Sequence, residues 1–153
     1  MPRTIATART VDRDELLDFA RTRHHHVLLT TRSDGSVQAS PVTAGVDPLG
    51  RVVIASYPER AKSRNARRTG KASVLVLSDD FGDAWAQIDG DAEVLDVPEA
   101  IEPLVEYFRC ISGEHSNWDE YRQAMIDQGK CLIRLPLLSW GPIATGGFPA
   151  RLA

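Results

Sequence analysis

A chain of 153 residues, 42% hydrophobic and 25% charged, is one domain's worth and long enough to bury a single real core. Its net charge of −3 argues against a nucleic-acid binder, which usually carries a basic balance or a strong basic face. No apolar run approaches the roughly 20 residues a membrane-crossing helix needs, and Met1 to Thr10 lacks the apolar stretch of a secretory signal. A cytoplasmic protein without membrane or nucleic-acid partners is therefore expected.

In chain order, Asp12 followed by Glu15 reads as a helix N-cap with a capping box. Leu16, Leu17, Phe19 and Ala20 then form an apolar stripe to about Arg21. His25 to Thr31 is β-branched or apolar, Ser33-Asp34-Gly35-Ser36 supplies a turn, and Val37 to Val46 reads as the returning strand of a hairpin. Asp47-Pro48-Leu49-Gly50 turns the chain into a third strand, Arg51 to Ser56. Glu59 to Arg68 has helical composition with Gly70 as its stop. Lys71 to Leu77 reads as a strand, Asp79 to Asp83 as a turn, and Ala84 to Val97 alternates as one long strand. Pro98 opens a helix to about Ile111, and a second runs from about Trp118 to Asp127. Cys131 to Leu135 and Ser139 to Ala144 close the chain. Six or seven strands joined mostly by hairpins, with three or four helices and no βαβ alternation, favour an antiparallel barrel with helices packed outside it.

The segment richest in chemistry is Arg60-Ala61-Lys62-Ser63-Arg64-Asn65-Ala66-Arg67-Arg68, in which five of nine residues are cationic. It follows a strand through the tight Tyr57-Pro58 connection, so a helix starting there would aim its free N–H groups at any anion above it. A guanidinium, an ammonium and a hydroxyl at Arg60, Lys62 and Ser63 suit a phosphate or phosphodiester. The same charges also fit a solvated helix face neutralised by acids such as Asp79 and Asp80. A nucleic-acid patch fits less well, because no aromatic residues interleave the charges.

The run Pro58 to Arg68, followed by a strand like Ala72 to Leu77, resembles the signature of the pyridoxamine-phosphate-oxidase-like split barrels. A second stretch, Gly113-Glu114-His115-Ser116-Asn117-Trp118-Asp119-Glu120-Tyr121-Arg122-Gln123-Ala124-Met125, resembles their branch that uses the deazaflavin coenzyme F420. The likeness runs roughly from Leu16 to Gly141. It implies a mainly β, α+β fold: a six-stranded antiparallel split barrel of the flavin-reductase type with peripheral helices. It also implies a homodimer with a cofactor site at each side of the interface. Carried over residue by residue, Arg60, Lys62 and Asn65 match positions that grip the cofactor's phosphate-bearing tail, with Arg64 nearby. Ile54, Ala55 and Ser56 match the strand end under the cofactor. Ser40, Pro41 and Val42 match the strand beside the ring system, and Trp85 and Gln87 lie where the partner subunit would approach. The flavin-using oxidases of the wider family carry an adjacent Arg-Lys pair in this loop; here Ala61 separates Arg60 from Lys62.

Other features read as structural. Adjacent residues of His24-His25-His26 point to opposite faces of a strand, so at most two could share a metal. Cys110 and Cys131 lie outside any CxxC or Cys/His cluster and read as reduced thiols. Asp79-Asp80 and Asp89/Asp91 read as turn caps or a wet strand face, and Trp118 and Tyr121 as core anchors. The resemblance implies an oxidoreductase in which reduced F420 delivers a hydride to an unsaturated organic substrate. An FMN-dependent oxidase or reductase, or a non-catalytic split barrel that carries a cofactor or haem, remain the alternatives, and no catalytic acid stands out.

Overall fold

The computed structural model describes residues 6–146. In order, its elements are β1 (Thr7–Arg9), α1 (Arg13–Arg21), β2 (His25–Thr31), β3 (Val37–Val46), β4 (Val52–Ser56), α2 (Ala61–Thr69) and β5 (Lys71–Val76). There follow β6 (Ala86–Asp91), β7 (Glu93–Asp96), α3 (Ile101–Ser112), α4 (Trp118–Gln128), β8 (Cys131–Leu135), β9 (Leu137–Trp140) and β10 (Ile143–Thr145). Eight strands form one antiparallel sheet in the order β7-β8-β4-β3-β2-β5-β6-β9, while β1 and β10 pair separately. Among the described residues, no helix is long and apolar enough to cross a membrane.

The sheet order explains the barrel. Strands β6 and β7 lie near opposite ends of the sheet, yet only Ala92 separates them in the chain. The sheet must therefore curl until those ends meet. The Ala92 N–H donates to the Gly70 carbonyl at 2.8 Å, tying this closure to the end of α2. The stretch expected as one strand from Ala84 to Val97 is thus two strands that change partner at one residue. The expected closing strand from Ser139 to Ala144 is likewise divided, because β9 pairs with β6 and β10 with β1. The mainly β split barrel with peripheral helices is as expected, but its main sheet has eight strands rather than six.

Two cores occupy the two faces of the sheet. Inside the barrel, Leu28, Val52, Ile54, Val74, Val76, Ile88, Ile133 and Leu135 pack with Leu16, Leu17 and Ala20 of α1 and Ala66 of α2. Outside it, α3 and α4 lay Leu104, Val105, Tyr121 and Met125 on Val53 and Leu132. The Tyr121 hydroxyl donates to the Leu104 carbonyl at 2.9 Å, clasping the helix pair. Asp12 caps α1 by accepting from the Glu15 N–H at 2.9 Å, but the Glu15 carboxylate turns to Arg9 at 2.6 Å instead of completing a capping box.

Candidate functional site: a groove where two strands part

Strands β3 and β4 pair only from Ala44–Ile54 to Val46–Val52. Beyond Ala44, β3 continues with β2 alone, and beyond Ile54, β4 continues with β8 alone. Tyr107 of α3 enters this fork, and its hydroxyl donates to the Thr43 carbonyl at 2.9 Å. Burial pushes its pKa up, and a hydrogen bond with the Ala55 backbone offsets part of the shift. The fork opens outward as a groove of about 420 Å³. Pro41, Val42 and Thr43 line one side, Ala55 and Lys62 the other, with Tyr107, Phe108, Tyr121 and Met125 as an aromatic and apolar wall. Phe108 meets Tyr121 edge to face at 5.2 Å between ring centroids, which stiffens that wall. Burial, with a smaller effect from Tyr107, pushes the Tyr121 pKa up to about 12.

Helix α2 starts at the groove's rim. Arg60 occupies its N-cap without a side-chain capping bond, and the first turn holds no acidic residue. The helix start is therefore electropositive and open. Lys62 has its pKa lowered by burial and then by Arg60. Asp79, one of the acids that the sequence offers for neutralising the helix, pairs with His25 instead. Elsewhere the cations are engaged: Arg67 meets Asp96, while Arg13, Arg32 and Arg68 donate to backbone carbonyls. Arg60, Lys62, Arg64 and Lys130 have no acidic partner among the described residues. A second cavity, of about 410 Å³ and lined by Arg51, Arg109, Arg122 and Arg134, differs in this respect. Each of those arginines is paired, with Asp47, Glu106 and Glu114, Glu102, and Glu93 respectively.

The structure brings Pro41, Val42, Ala55 and Lys62 together in the groove, with Arg60 and Arg64 exposed on the adjoining helix. The other anticipated positions lie elsewhere. Ile54 is buried inside the barrel, and the buried Ser40 Oγ has no partner. Ser56 is buried beneath α2 and accepts from Ser63 Oγ at 3.0 Å. Asn65 donates to Thr30 Oγ1 at 3.2 Å and accepts from Arg68 at 3.1 Å, so its amide is engaged inside the protein. Trp85 and Gln87 lie on β6 and its approach, lining two other cavities of about 540 and 480 Å³. Sequence reasoning missed Thr43, Tyr107, Phe108, Gln128 and Lys130. Tyr107 and Phe108 share the apolar stripe of α3, which by spacing alone reads as core. Within the run His24-His25-His26, His26 points inward while His25 stands exposed, as strand alternation requires.

The sequence profile of the pyridoxamine 5'-phosphate oxidase family matches residues 12–138. The chain belongs to that family. Solved structures similar to this pyridoxamine 5'-phosphate oxidase family member include a conserved hypothetical protein of Mycobacterium tuberculosis, 20% identical over 94% of this chain and 89% of that one, with a TM-score of 0.72. A protein called F420 reductase is 16% identical over 80% of this chain and 94% of that one, with a TM-score of 0.59. A heme binding protein of Mycobacterium smegmatis is 17% identical over 88% of this chain and 54% of that one, with a TM-score of 0.66. At these identities the likeness is one of fold. Family and fold together make the chain a split barrel of the pyridoxamine 5'-phosphate oxidase type.

Proposed function

We propose that this chain is an F420-dependent reductase whose cofactor lies in the groove with its phosphate-bearing tail at the start of α2. One observation carries the reading: cations without acidic partners sit where an open helix N-terminus meets a groove walled by Tyr107, Phe108, Tyr121 and Met125. That donor set suits an anionic tail, and the aromatic and apolar wall suits a planar ring. A fold relative called F420 reductase supports the choice of cofactor. Bound and reduced, the deazaflavin would supply a hydride for an electron-poor C=C, C=N or C=O bond. The chain's own share is positional. Lys62 and Arg60 hold the phosphate, with Arg64 beside them. Pro41, Val42 and Ala55 set the depth of the groove, and Tyr107 keeps the fork open. Ile54, Ser40, Ser56 and Asn65 support these walls from behind.

The proposal includes a homodimer. The outer face of β2, β5 and β6 gathers Val27, Leu75, Leu77, Phe81 and Trp85 around a cavity of about 540 Å³, and Phe81 is 88% exposed. A second copy would cover that apolar surface and bring Trp85 and Gln87 against its partner. Titration of F420 and FMN at two ionic strengths tests the cofactor. F420 should bind more tightly, and its affinity should fall as salt rises, because exposed charge pairs are screened. Tighter FMN binding would make the chain a flavin enzyme. Binding without consumption of reduced F420 across activated alkenes, imines and carbonyls would make it a carrier.

A further inference from the structure

We infer that Lys130 is a second cationic anchor of the groove, facing Lys62, and that the pair makes the site selective for ligands carrying a phosphate ester. The inference rests on the groove reading above but concerns a residue outside the α2 segment. Gly129 ends α4 in the left-handed conformation at φ 61°, and the Lys130 N–H returns to the Met125 carbonyl at 3.1 Å. This stop fixes Lys130 at the groove's edge one residue before β8. Its ammonium lies 4.1 Å from the centroid of the Tyr57 ring, in the connection that delivers the chain into α2. The aromatic face holds the ammonium in place without neutralising it.

Lys62 and Lys130 line the same groove, and Lys130 is among the charges that lower the Lys62 pKa. Glu59 is the nearby carboxylate in sequence, yet it forms no ion pair with either lysine within 4.0 Å. Two partly buried ammonium groups facing one space repel each other, and an anion between them reverses that repulsion. The open N–H groups at the start of α2 add donors on the same side. A phosphate ester has the charge and the several acceptor oxygens to meet both lysines at once. An uncharged ring could enter the groove but would leave both ammonium groups unmatched.

Binding of FMN, of riboflavin (the same ring system without phosphate) and of F420 tests this by equilibrium titration. The expected result for Lys130→Ala is FMN and F420 affinity weaker by roughly 10-fold or more, the loss of one charge-assisted hydrogen bond. Riboflavin affinity should change by less than about 2-fold, since no such bond is lost. Lys130→Arg should recover most of the loss, and thermal melts of all variants should match the wild type. Equal weakening of FMN and riboflavin would reduce Lys130 to a wall of the groove and overturn the inference. So would unchanged FMN and F420 binding in Lys130→Ala alongside a loss in Lys62→Ala, and that result would leave the groove reading intact. If the wild type bound none of the three, the groove reading and the second anchor would fall together.

Discussion

At His26 the barrel interior meets a group that water would readily protonate. Its Nε2 lies 2.8 Å from the Arg23 carbonyl, which can only accept, so the proton sits on Nε2 and leaves the buried Nδ1 unpartnered. Burial is the main reason its pKa falls from 6.5 to about 4, and the neighbouring His24 and His25 add to the fall. The unfolded chain therefore takes up a proton below pH 6.5 that the folded chain refuses until about pH 4. Stability from this residue is complete above pH 6.5 and is lost as pH falls toward 4, by about 3 kcal/mol in all. Urea denaturation of the wild type and His26→Asn between pH 7 and 4 should show the variant losing less stability over that window. Parallel pH profiles would assign the acid sensitivity to another group.

The α2 cations separate by role at the same scale. Lys62→Ala should leave the melting transition within about 0.5 kcal/mol of wild type and weaken F420 binding roughly 10- to 150-fold. Arg68 has the opposite profile. Its guanidinium donates to the Thr31 carbonyl and to Asn65 Oδ1, fastening α2 onto β2. Arg68→Ala should therefore cost about 1 kcal/mol of stability while F420 affinity stays near wild type. Similar binding losses in both variants would mean a diffuse basic surface rather than a defined anchor.

Among the elements, α3 governs the groove through its seat on β3. A Cβ placed on Gly45 would come within 2.8 Å of Cys110 Cβ, so the helix sits as close to the strand as a bare backbone allows. Gly45→Ala should push α3 outward and withdraw Tyr107 from the fork. The expected cost is about 1–3 kcal/mol, with a loss of F420 affinity greater than that of Tyr107→Phe, which removes only the hydroxyl. Melting curves and titrations of the two variants check this order. The helices and hairpins were legible in the chain because their signals are local. β2 and β3 end where the turn residues place them, and α2 stops at Gly70. The division of Ala84 to Val97 was not legible, since alternation fixes a strand's faces but not its partner. Nor was the inner half of the groove. Tyr107 and Lys130 reach it only because the helix pair folds over β4, a contact between residues roughly 50 to 75 positions apart that no local pattern records. β1 escaped for a simpler reason: three exposed residues carry no periodicity.

For the whole molecule, the exposed apolar face of β2, β5 and β6 sets the expectation. At micromolar concentration the protein should sediment at twice its 16.8 kDa mass. Trp85→Asp, which places a charge beside Phe81 and Leu77, should shift it toward the monomer. If the partner subunit helps to close the cofactor site, the same variant should bind F420 less well even though Trp85 lies outside the groove. A monomeric wild type, or a monomeric variant with full affinity, would separate the groove from the assembly.

Cys131 lies directly behind the first turn of α2, fully buried, with its sulfur 3.7 Å from Ser63 Oγ. Burial holds its pKa up, and a thiol reagent reaches it when local opening lifts the first turn of α2 off Ser56 and Cys131. The rate at which this cysteine is labelled in the native protein is therefore a clock for the opening of that helix. An anion bound at the start of α2 should slow the clock, and raising its concentration should slow it further until the site is full. Cys110, half buried on α3, serves as an internal reference whose labelling should change far less. The protein thus carries, one layer beneath its cation cluster, a built-in reporter of occupancy that needs no coloured cofactor and no knowledge of the substrate.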